Sequence, residues 1–211
     1  TGLWVARMKC YDLQLAESAS PSPELRQRQK LAASLAETLT PLLKFSASEM
    51  GNRVCYQAIQ IHGGVGYMRE FNVERHYRDV RVTNIYEGTS QLQVVAVTGK
   101  LLGHALDPLL DCWAAVAPAP ELADLHRKLV EANALFLKAT NSLKEMSRDQ
   151  IDYYAVDLAN MAATLVNSWL LLQDARHSPS RLALAQAYAA EHLPYLKAAA
   201  EVILSAVRTK I

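Results

Sequence analysis

Residues 85–91 read Ile-Tyr-Glu-Gly-Thr-Ser-Gln, and residues 60–67 upstream of them read Gln-Ile-His-Gly-Gly-Val-Gly-Tyr. The first stretch sets one carboxylate, Glu87, beside small and hydroxyl residues that let a ligand approach closely. The second stretch is rich in glycine, whose backbone can approach a phosphate or a ring because no Cβ lies in the way. The two stretches predict turns between helices, and these turns carry the candidate chemistry.

Long helices are predicted upstream of the glycine turn. Thr40 and Pro41 predict a helix start, with the hydroxyl as the N-cap and proline at the first helical position. Residues 24–38 then form a separate helix, and residues 3–17 form an earlier one. Apolar residues at spacings of three and four predict that the helix starting at Pro41 is amphipathic and ends at the glycines; they are Leu43, Ala47, Met50, Val54, Ala58 and Ile61.

The rest of the chain is also predicted to be helical. A small, proline-bearing segment at 114–120 indicates a linker. Pro194 is expected to kink or break the last helix. The predicted elements are a loop over 63–72, a bend over 86–88, and helices over 73–83, 89–106, 121–146, 149–176 and 180–207. The expected fold class is therefore all-α, an antiparallel helical bundle with extra C-terminal helices.

Composition excludes several classes of protein. The chain is 51% hydrophobic and 20% charged, which favours a buried core over disorder. A net charge of +1 without a basic stripe gives no reason to expect nucleic acid as a partner. None of the three cysteines lies in a C-x-x-C pair, so the sequence implies neither a metal site nor a disulfide framework.

No strong membrane signal is evident in the sequence. The most apolar stretch, residues 158–172, is interrupted by Asn160, Thr164, Asn167 and Ser168, and we expect no bilayer span from it. The chain begins at Thr1 and enters an apolar stretch directly, so we expect it to be part of a larger protein.

Taken one by one, the motifs leave alternatives open. Glu87 is either a general base or a carboxylate that caps the helix starting near Thr89, where the helix dipole favours an anion. The glycines could form a helix C-cap and a turn without binding a ligand. Tyr77-Arg78-Asp79 is interpreted as a local ion pair that pins a short helix to the bundle.

In their order and spacing, the three motifs resemble the C-terminal domain of acyl-CoA dehydrogenases. Lys44, Ser48-Glu49 and Asn52-Arg53-Val54 add to the resemblance, which is specific over residues 41–102 and only general beyond residue 107. Family members have an N-terminal helical domain, a middle β domain and a C-terminal helical bundle. The resemblance implies that residues 1–112 are that third domain without its first helix, and that residues 121–211 are a helical extension.

The resemblance assigns a catalytic role to Glu87. It matches the family's base, which removes the α-proton of an acyl-CoA while the β-hydrogen leaves as hydride to flavin N5. The Glu87 N–H and a flavin hydroxyl would bind the thioester carbonyl and stabilise the developing enolate. Gly88 would keep the floor of the acyl site open.

The resemblance also implies FAD as the cofactor. The segment that contacts its adenosine diphosphate end, usually on the partner subunit, is matched by Gln60, Ile61, His62, Gly63 and Gly64. A second FAD-contacting segment is matched by Thr89, Ser90 and Gln91. His62 and His76 are interpreted as a helix-end and a surface residue, so no metal site is expected.

The implied function is α,β-desaturation of an acyl-CoA thioester by a flavin-dependent oxidoreductase. An electron-transfer flavoprotein is the expected electron acceptor, and the expected assembly is a homodimer or homotetramer. The location is expected to be cytoplasmic, or the mitochondrial matrix in a eukaryote. The alternative is a non-catalytic helical interaction module that retains the fold. Without the other domains, the 211 residues are expected to be inactive and to bind FAD weakly.

Overall fold

The structure, a computed structural model, describes residues 22–208. Within this range every regular element is helical and no strand occurs, so the all-α prediction is confirmed. The helix predicted over residues 3–17 lies outside the described residues. The α-helices are α1 (Pro23–His62), α2 (Gly64–Tyr67), α3 (Val73–Arg81), α4 (Ser90–Leu102), α5 (Asp107–Ala114), α6 (Ala123–Lys144), α7 (Arg148–His177) and α8 (Leu182–Arg208). Short 3₁₀ turns lie at Val82–Asn84, Pro120–Leu122 and Pro179–Arg181.

Helix α1 runs through Pro41 without a break, so the predicted helix start at Thr40 is wrong. The Thr40 hydroxyl donates to the Ala36 carbonyl at 2.7 Å, back into the preceding turn, and does not cap a new helix. A proline inside a helix costs about 3 kcal/mol. Leu39 and Leu42 are each only 1% exposed, and burying two such side chains offsets that cost at about 1.5–3 kcal/mol each.

Other helix ends follow local signals more closely. Ser22 caps α1 by accepting a hydrogen bond from the Leu25 N–H at 3.2 Å, with proline at the next position. The helix predicted over 89–106 ends at Leu102, because His104 has a left-handed φ of 61°. Helix α5 follows it and was not predicted. Helix α8 continues through Pro194, so that proline does not break it.

The predicted apolar stripe of α1 packs against the core at Leu43 but is exposed at its large side chains further along the helix. Met50, Val54 and Ile61 are 48%, 61% and 84% exposed. The buried face of α1 lies further upstream and is formed by Leu35, Leu39, Leu42 and Phe45, which pack with α4 and α7. The C-terminal half of α1 therefore presents apolar side chains on the surface.

One continuous cluster of buried side chains joins the helices of the described chain other than α2 and α3. It runs from α1 and α4 to α6, α7 and α8. Trp169 of α7 is fully buried, lies 6.3 Å from the Trp113 ring and donates its Nε1–H to Asn133 at 2.9 Å. The division into domains at 1–112 and 121–211 remains a prediction.

Helix α7 occupies the centre of this core. Among the described residues it is the one helix long and apolar enough, by length and composition alone, to cross a membrane, and it contains the apolar stretch 158–172 from which the sequence predicted no span. In its most apolar window, 61% of the residues are buried inside the protein. Its apolar composition is thus accounted for by packing against α4, α6 and α8.

Candidate functional site

Glu87 lies at a left-handed bend, as the sequence predicted for residues 86–88. Its φ is 49°, and that of Gly88 is 92°. A left-handed conformation costs a residue with a side chain about 1–2 kcal/mol, so the surrounding contacts must hold it. Residues kept in such conformations are concentrated at functional sites.

The carboxylate of Glu87 does not cap helix α4. Thr89 is the N-cap, and its hydroxyl accepts a hydrogen bond from the Leu92 N–H at 3.3 Å. Within residues 22–208, the Glu87 carboxylate accepts no hydrogen bond, and its N–H donates none. The side chain is exposed, so both groups are accessible to a ligand.

A polar face of α1 binds the segment that contains the Glu87–Gly88 bend. Lys44 and Ser48, four residues apart, lie one above the other on the helix. The Lys44 ammonium donates to the Gly88 carbonyl at 2.6 Å and to the Thr83 carbonyl at 3.2 Å. The Ser48 hydroxyl donates to the same Thr83 carbonyl at 3.0 Å. These contacts fix both ends of the segment that carries Glu87.

A second set of contacts places a carboxylate beside the start of α4, but this carboxylate is Glu49. Buried Asn84 donates to Glu49 at 2.6 Å and to the Ser90 hydroxyl at 3.0 Å. Ser90 in turn donates to Glu49 at 2.7 Å, and Asn52 donates to Asn84. The anion that interacts favourably with the α4 dipole is therefore supplied by α1.

Gly88 is favoured by its backbone conformation, because a φ of 92° disfavours any residue with a side chain. A Cβ at this position would lie 2.7 Å from Gln93 Nε2. That amide donates to the Glu87 carbonyl at 3.2 Å and to the Gly88 carbonyl at 3.4 Å. Sequence reasoning assigned Gly88 to the floor of an acyl site, which remains a prediction. The sequence analysis did not identify Gln93. Its position in the first turn of α4 could have indicated the role, because a side chain there can reach back to the bend.

The glycines of the upstream turn have different roles. Gly63 ends α1 with a left-handed φ of 65° and donates its N–H to the Gln60 carbonyl at 3.2 Å. A Cβ at Gly66 would lie 2.5 Å from the His62 Cβ, so close packing requires that glycine. A Cβ at Gly64 would meet nothing within 4 Å. Packing therefore does not explain the glycine at position 64, and its backbone is accessible at the surface.

The structure brings together one of the two predicted FAD-contacting segments with Glu87. Thr89, Ser90 and Gln91 directly follow the bend, and Gln91 is exposed. The other segment, Gln60–Gly64, lies at the far end of α1. The helical rise separates the Cα atoms of Gln60 and Lys44 by about 24 Å. One copy of the chain thus places the two predicted FAD-contacting segments well apart.

The ion pairs of α3 differ from the predicted one. Arg78 bonds Glu74 at 2.6 Å, and Asp79 lies 3.7 Å from Arg75, both one turn apart on the exposed surface. These pairs stabilise α3 itself and do not attach it to α1. The attachment includes an aromatic contact between Tyr77 and Tyr56, whose ring centroids are 6.4 Å apart.

Comparison with known proteins decides the family. The family model described as "Acyl-CoA dehydrogenase, C-terminal domain" matches residues 23–102. A second model, "Acyl-CoA dehydrogenase C terminal", matches residues 106–203. The chain belongs to the acyl-CoA dehydrogenase family. The C-terminal helices, for which the sequence resemblance was only general, are matched by a family model of their own.

Relatives of this acyl-CoA dehydrogenase segment are similar over part of their length. The caffeyl-CoA reductase-Etf complex subunit CarC of Acetobacterium woodii is 57% identical over 61 residues, 29% of this chain and 16% of that protein. The human short-chain specific acyl-CoA dehydrogenase, mitochondrial, is 38% identical over 107 residues, 48% of this chain and 26% of that protein. The chain thus spans about a quarter or less of the length of these curated relatives.

A solved structure has the same fold over nearly the whole chain. It is an acyl-CoA dehydrogenase from Bacillus anthracis complexed with FAD, with a TM-score of 0.69 and 22% identity. The match covers 97% of this chain and 41% of the other. At this identity the likeness establishes the fold alone.

A cavity of about 940 Å³ joins the candidate site of this acyl-CoA dehydrogenase segment to its C-terminal helices. Glu49 and Gln91 line one side, and Tyr188 and His192 of α8 line the other. The Tyr188 ring stacks on His192 at 4.0 Å, and its hydroxyl accepts from Asn167 at 3.3 Å. Burial is the main cause that raises the pKa of Tyr188 above its usual value.

A smaller groove continues from this cavity along α7 and α8. Asp157, Arg53 and His192 are among the residues that line it. Burial raises the pKa of Asp157 above the usual value of an aspartate. Among the described residues, no group of three or more side chains is arranged to bind a metal ion.

Proposed function

We propose that this chain is the C-terminal part of a flavin-dependent acyl-CoA dehydrogenase that desaturates an acyl-CoA thioester between Cα and Cβ. Glu87 is the catalytic base, and its backbone N–H binds the thioester carbonyl. The observation that carries the proposal is the left-handed bend, which exposes an unpaired carboxylate and an unpaired N–H on the same residue.

The chemistry requires these two groups together. The α-proton of a thioester is too weakly acidic for a carboxylate alone to remove it at a useful rate. As the Glu87 carboxylate takes the proton, the electron pair of the C–H bond moves towards the carbonyl oxygen. The Glu87 N–H, placed in advance, stabilises the charge on that oxygen. Loss of hydride from Cβ to an acceptor then completes the double bond.

The residues present fit FAD as that acceptor. FAD, when bound, supplies the oxidant for the hydride that leaves Cβ. Gln91 is exposed beside the bend, and Gly63 and Gly64 offer backbone that a phosphate can approach. Along α1, Gln60 lies about 17 Å from Glu49, which bonds Ser90 of the other segment, and this separation supports a site shared by two copies of the chain. We therefore propose a homodimer or homotetramer.

The electron acceptor of the whole enzyme is proposed to be an electron-transfer flavoprotein. One relative is named as a subunit of a reductase–Etf complex, which supports this acceptor. The proposed location is the cytoplasm, or the mitochondrial matrix in a eukaryotic cell. The substrate class is an acyl-CoA, since the relatives named above are named for acyl-CoA substrates.

The test is Glu87→Gln in the complete polypeptide that contains these residues. The amide has nearly the shape of the carboxylate but cannot accept a proton, so acyl-CoA oxidation should fall by about a hundredfold or more at normal flavin content. Glu201→Gln, the same change at an exposed position on α8, is the control and should have wild-type activity. Near wild-type oxidation by Glu87→Gln would refute the proposed function. A complete protein that stays colourless and cannot be reconstituted with FAD would favour the non-catalytic module.

A further inference from the structure

We propose that Lys44 is a positioning residue for the reaction. Its ammonium group, together with the Gln93 amide, holds the Glu87–Gly88 bend in the conformation from which Glu87 acts. This inference rests on the function proposed above for Glu87, and its test below fails separately from that function.

The bend needs support from neighbouring groups. Two successive residues, Glu87 and Gly88, have positive φ values of 49° and 92°. For Glu87 this conformation is disfavoured by about 1–2 kcal/mol relative to an ordinary one. If the bend relaxed, the carboxylate and the N–H of Glu87 would turn together away from a substrate. The reaction therefore depends on whatever holds the bend.

Among the described residues, side chains and not backbone groups hold the carbonyls of the bend. Backbone bonds anchor the chain before the bend, where the Ile85 and Tyr86 N–H groups both donate to the Val82 carbonyl. The carbonyls of Glu87 and Gly88 have no backbone partner among residues 22–208. They are bound by two side chains, Lys44 at 2.6 Å from the Gly88 oxygen and Gln93 at 3.2 Å and 3.4 Å.

Lys44 contacts the segment at three points. Besides the Gly88 carbonyl it donates to Thr83 O at 3.2 Å, on the other side of the bend. Its Nζ also lies 5.2 Å from the centre of the Tyr86 ring, within range of a cation–π interaction. A charged donor makes a stronger hydrogen bond than a neutral one. Lys44 thus links Thr83, Tyr86 and Gly88 to the rigid middle of α1.

The effect of Lys44 on the position of the bend is separable from its effect on the stability of the fold. Many of the buried contacts of α1 come from apolar side chains other than Lys44. These are Leu35, Leu39, Leu42 and Phe45. Loss of the Lys44 ammonium group leaves these contacts in place. The fold should therefore survive the change while the bend loses its main donor. Displacement of a reacting group by about 1 Å is enough to cost about a hundredfold in rate.

The test uses Lys44→Met and Gln93→Leu in the complete, FAD-loaded enzyme, with rates expressed per bound flavin. We expect kcat to fall by about tenfold to a hundredfold for Lys44→Met, with a much smaller change in KM. Substrate deuterated at Cα should show a larger isotope effect than with the wild type, because proton removal becomes more rate-limiting. Lys44→Arg keeps a charged donor and should recover most of the rate.

Lys100→Met is the matched control. Lys100 also connects α4 to α1, through an ion pair with Glu37, but it makes no contact with the bend. It should show wild-type kcat and isotope effect. Loss of stability alone would reduce flavin content in all variants without changing the rate per flavin.

Wild-type kcat per flavin and an unchanged isotope effect in Lys44→Met would overturn the inference. If Lys44→Met does not fold, the same result in flavin-loaded Gln93→Leu would overturn it. Glu87→Gln in the same assay separates the two claims. An active Glu87→Gln enzyme refutes the proposed function, whereas an inactive one beside a fully active Lys44→Met refutes only the positioning role.

Discussion

At the scale of single residues, the sequence left two roles open for Glu87: general base, or the anion at the start of α4. In the structure the second role belongs to Glu49. Local chemistry could not decide whether Glu87 caps α4 or acts as a base. The structure gives the cap to Thr89 and the anion at the helix start to Glu49, which bonds Ser90 at 2.7 Å. Glu87 is left at a strained bend, and its carboxylate has no hydrogen-bond partner among the described residues. This division supports the catalytic role that we propose for it.

Gly88→Ala tests the bend directly. The added Cβ would meet Gln93 Nε2 at 2.7 Å, and the left-handed φ of 92° disfavours any residue with a side chain. We expect the free energy of unfolding to fall by about 1–3 kcal/mol, and activity per flavin to fall with it, because Gln93 is displaced. Denaturant unfolding and steady-state kinetics would measure both quantities.

Gly99→Ala is the control for that change. Gly99 lies on the exposed surface of α4, away from the first turn of the helix, and a Cβ there would meet nothing within 4 Å. Alanine is a better helix former, so unfolding should cost up to about 1 kcal/mol more. Equal effects of the two substitutions would contradict the interpretation of Gly88.

At the scale of helices, local signals set most helix ends, but tertiary packing overrides them at the prolines. Pro41 lies between two buried leucines and α1 continues through it, while Pro194 lies inside α8. At the start of α7 no such packing conflict arises. Ser147 and Gln150 form a reciprocal capping box there, with bonds of 3.1 Å and 3.4 Å to each other's backbone N–H groups.

Ser147→Ala should therefore weaken α7 at its first turn. Removal of an N-cap side chain typically costs about 1 kcal/mol, and α7 is the central core helix, so the loss should appear in global unfolding. Chemical denaturation measures it. Ser205→Ala, at an exposed position in α8, is the comparison and should change stability by less than about 0.5 kcal/mol. A silent Ser147→Ala would mean that the capping box contributes nothing.

Prediction from sequence succeeded where the signal was local. The bend at 86–88, the end of α1 at the glycines and the all-helical class followed from residue types and spacing. The direction of the α1 stripe did not, because Met50, Val54 and Ile61 form a helical stripe whose partner is not among the described residues. The role of Lys44 escaped prediction because its partners Thr83 and Gly88 lie far from it along the chain, so that no local pattern encodes these contacts. The role of Gln93 was missed although its place in the first turn of α4 was a local signal.

At the scale of the whole molecule, exposed apolar side chains identify the surfaces that lack a partner. Residues 50–95 expose many of them, including Ile61, Tyr67, Leu92 and Val95. Large exposed apolar surfaces commonly mark interaction sites. This surface surrounds both predicted FAD-contacting segments. It is consistent with our proposal that other domains and a second copy cover this part of the chain.

The isolated 211 residues should therefore bind FAD weakly and show no dehydrogenase activity. The reason is that the candidate site offers one proposed base and two separated segments that are predicted to contact FAD, without the rest of the proposed enzyme. Gel filtration followed by a flavin absorbance spectrum would test this. A yellow preparation that retains stoichiometric FAD would show that the chain needs no further domain to bind it.

The central claim is that Glu87 removes the substrate α-proton, and a single-turnover experiment tests it most directly. Acyl-CoA is mixed anaerobically with the complete FAD-loaded enzyme, and bleaching of the flavin is followed for wild type, Glu87→Asp and Glu87→Gln. We predict that bleaching by Glu87→Gln is slower by about 10²–10⁴-fold although acyl-CoA still binds, with Glu87→Asp in between. Bleaching by Glu87→Gln at nearly the wild-type rate would contradict the account.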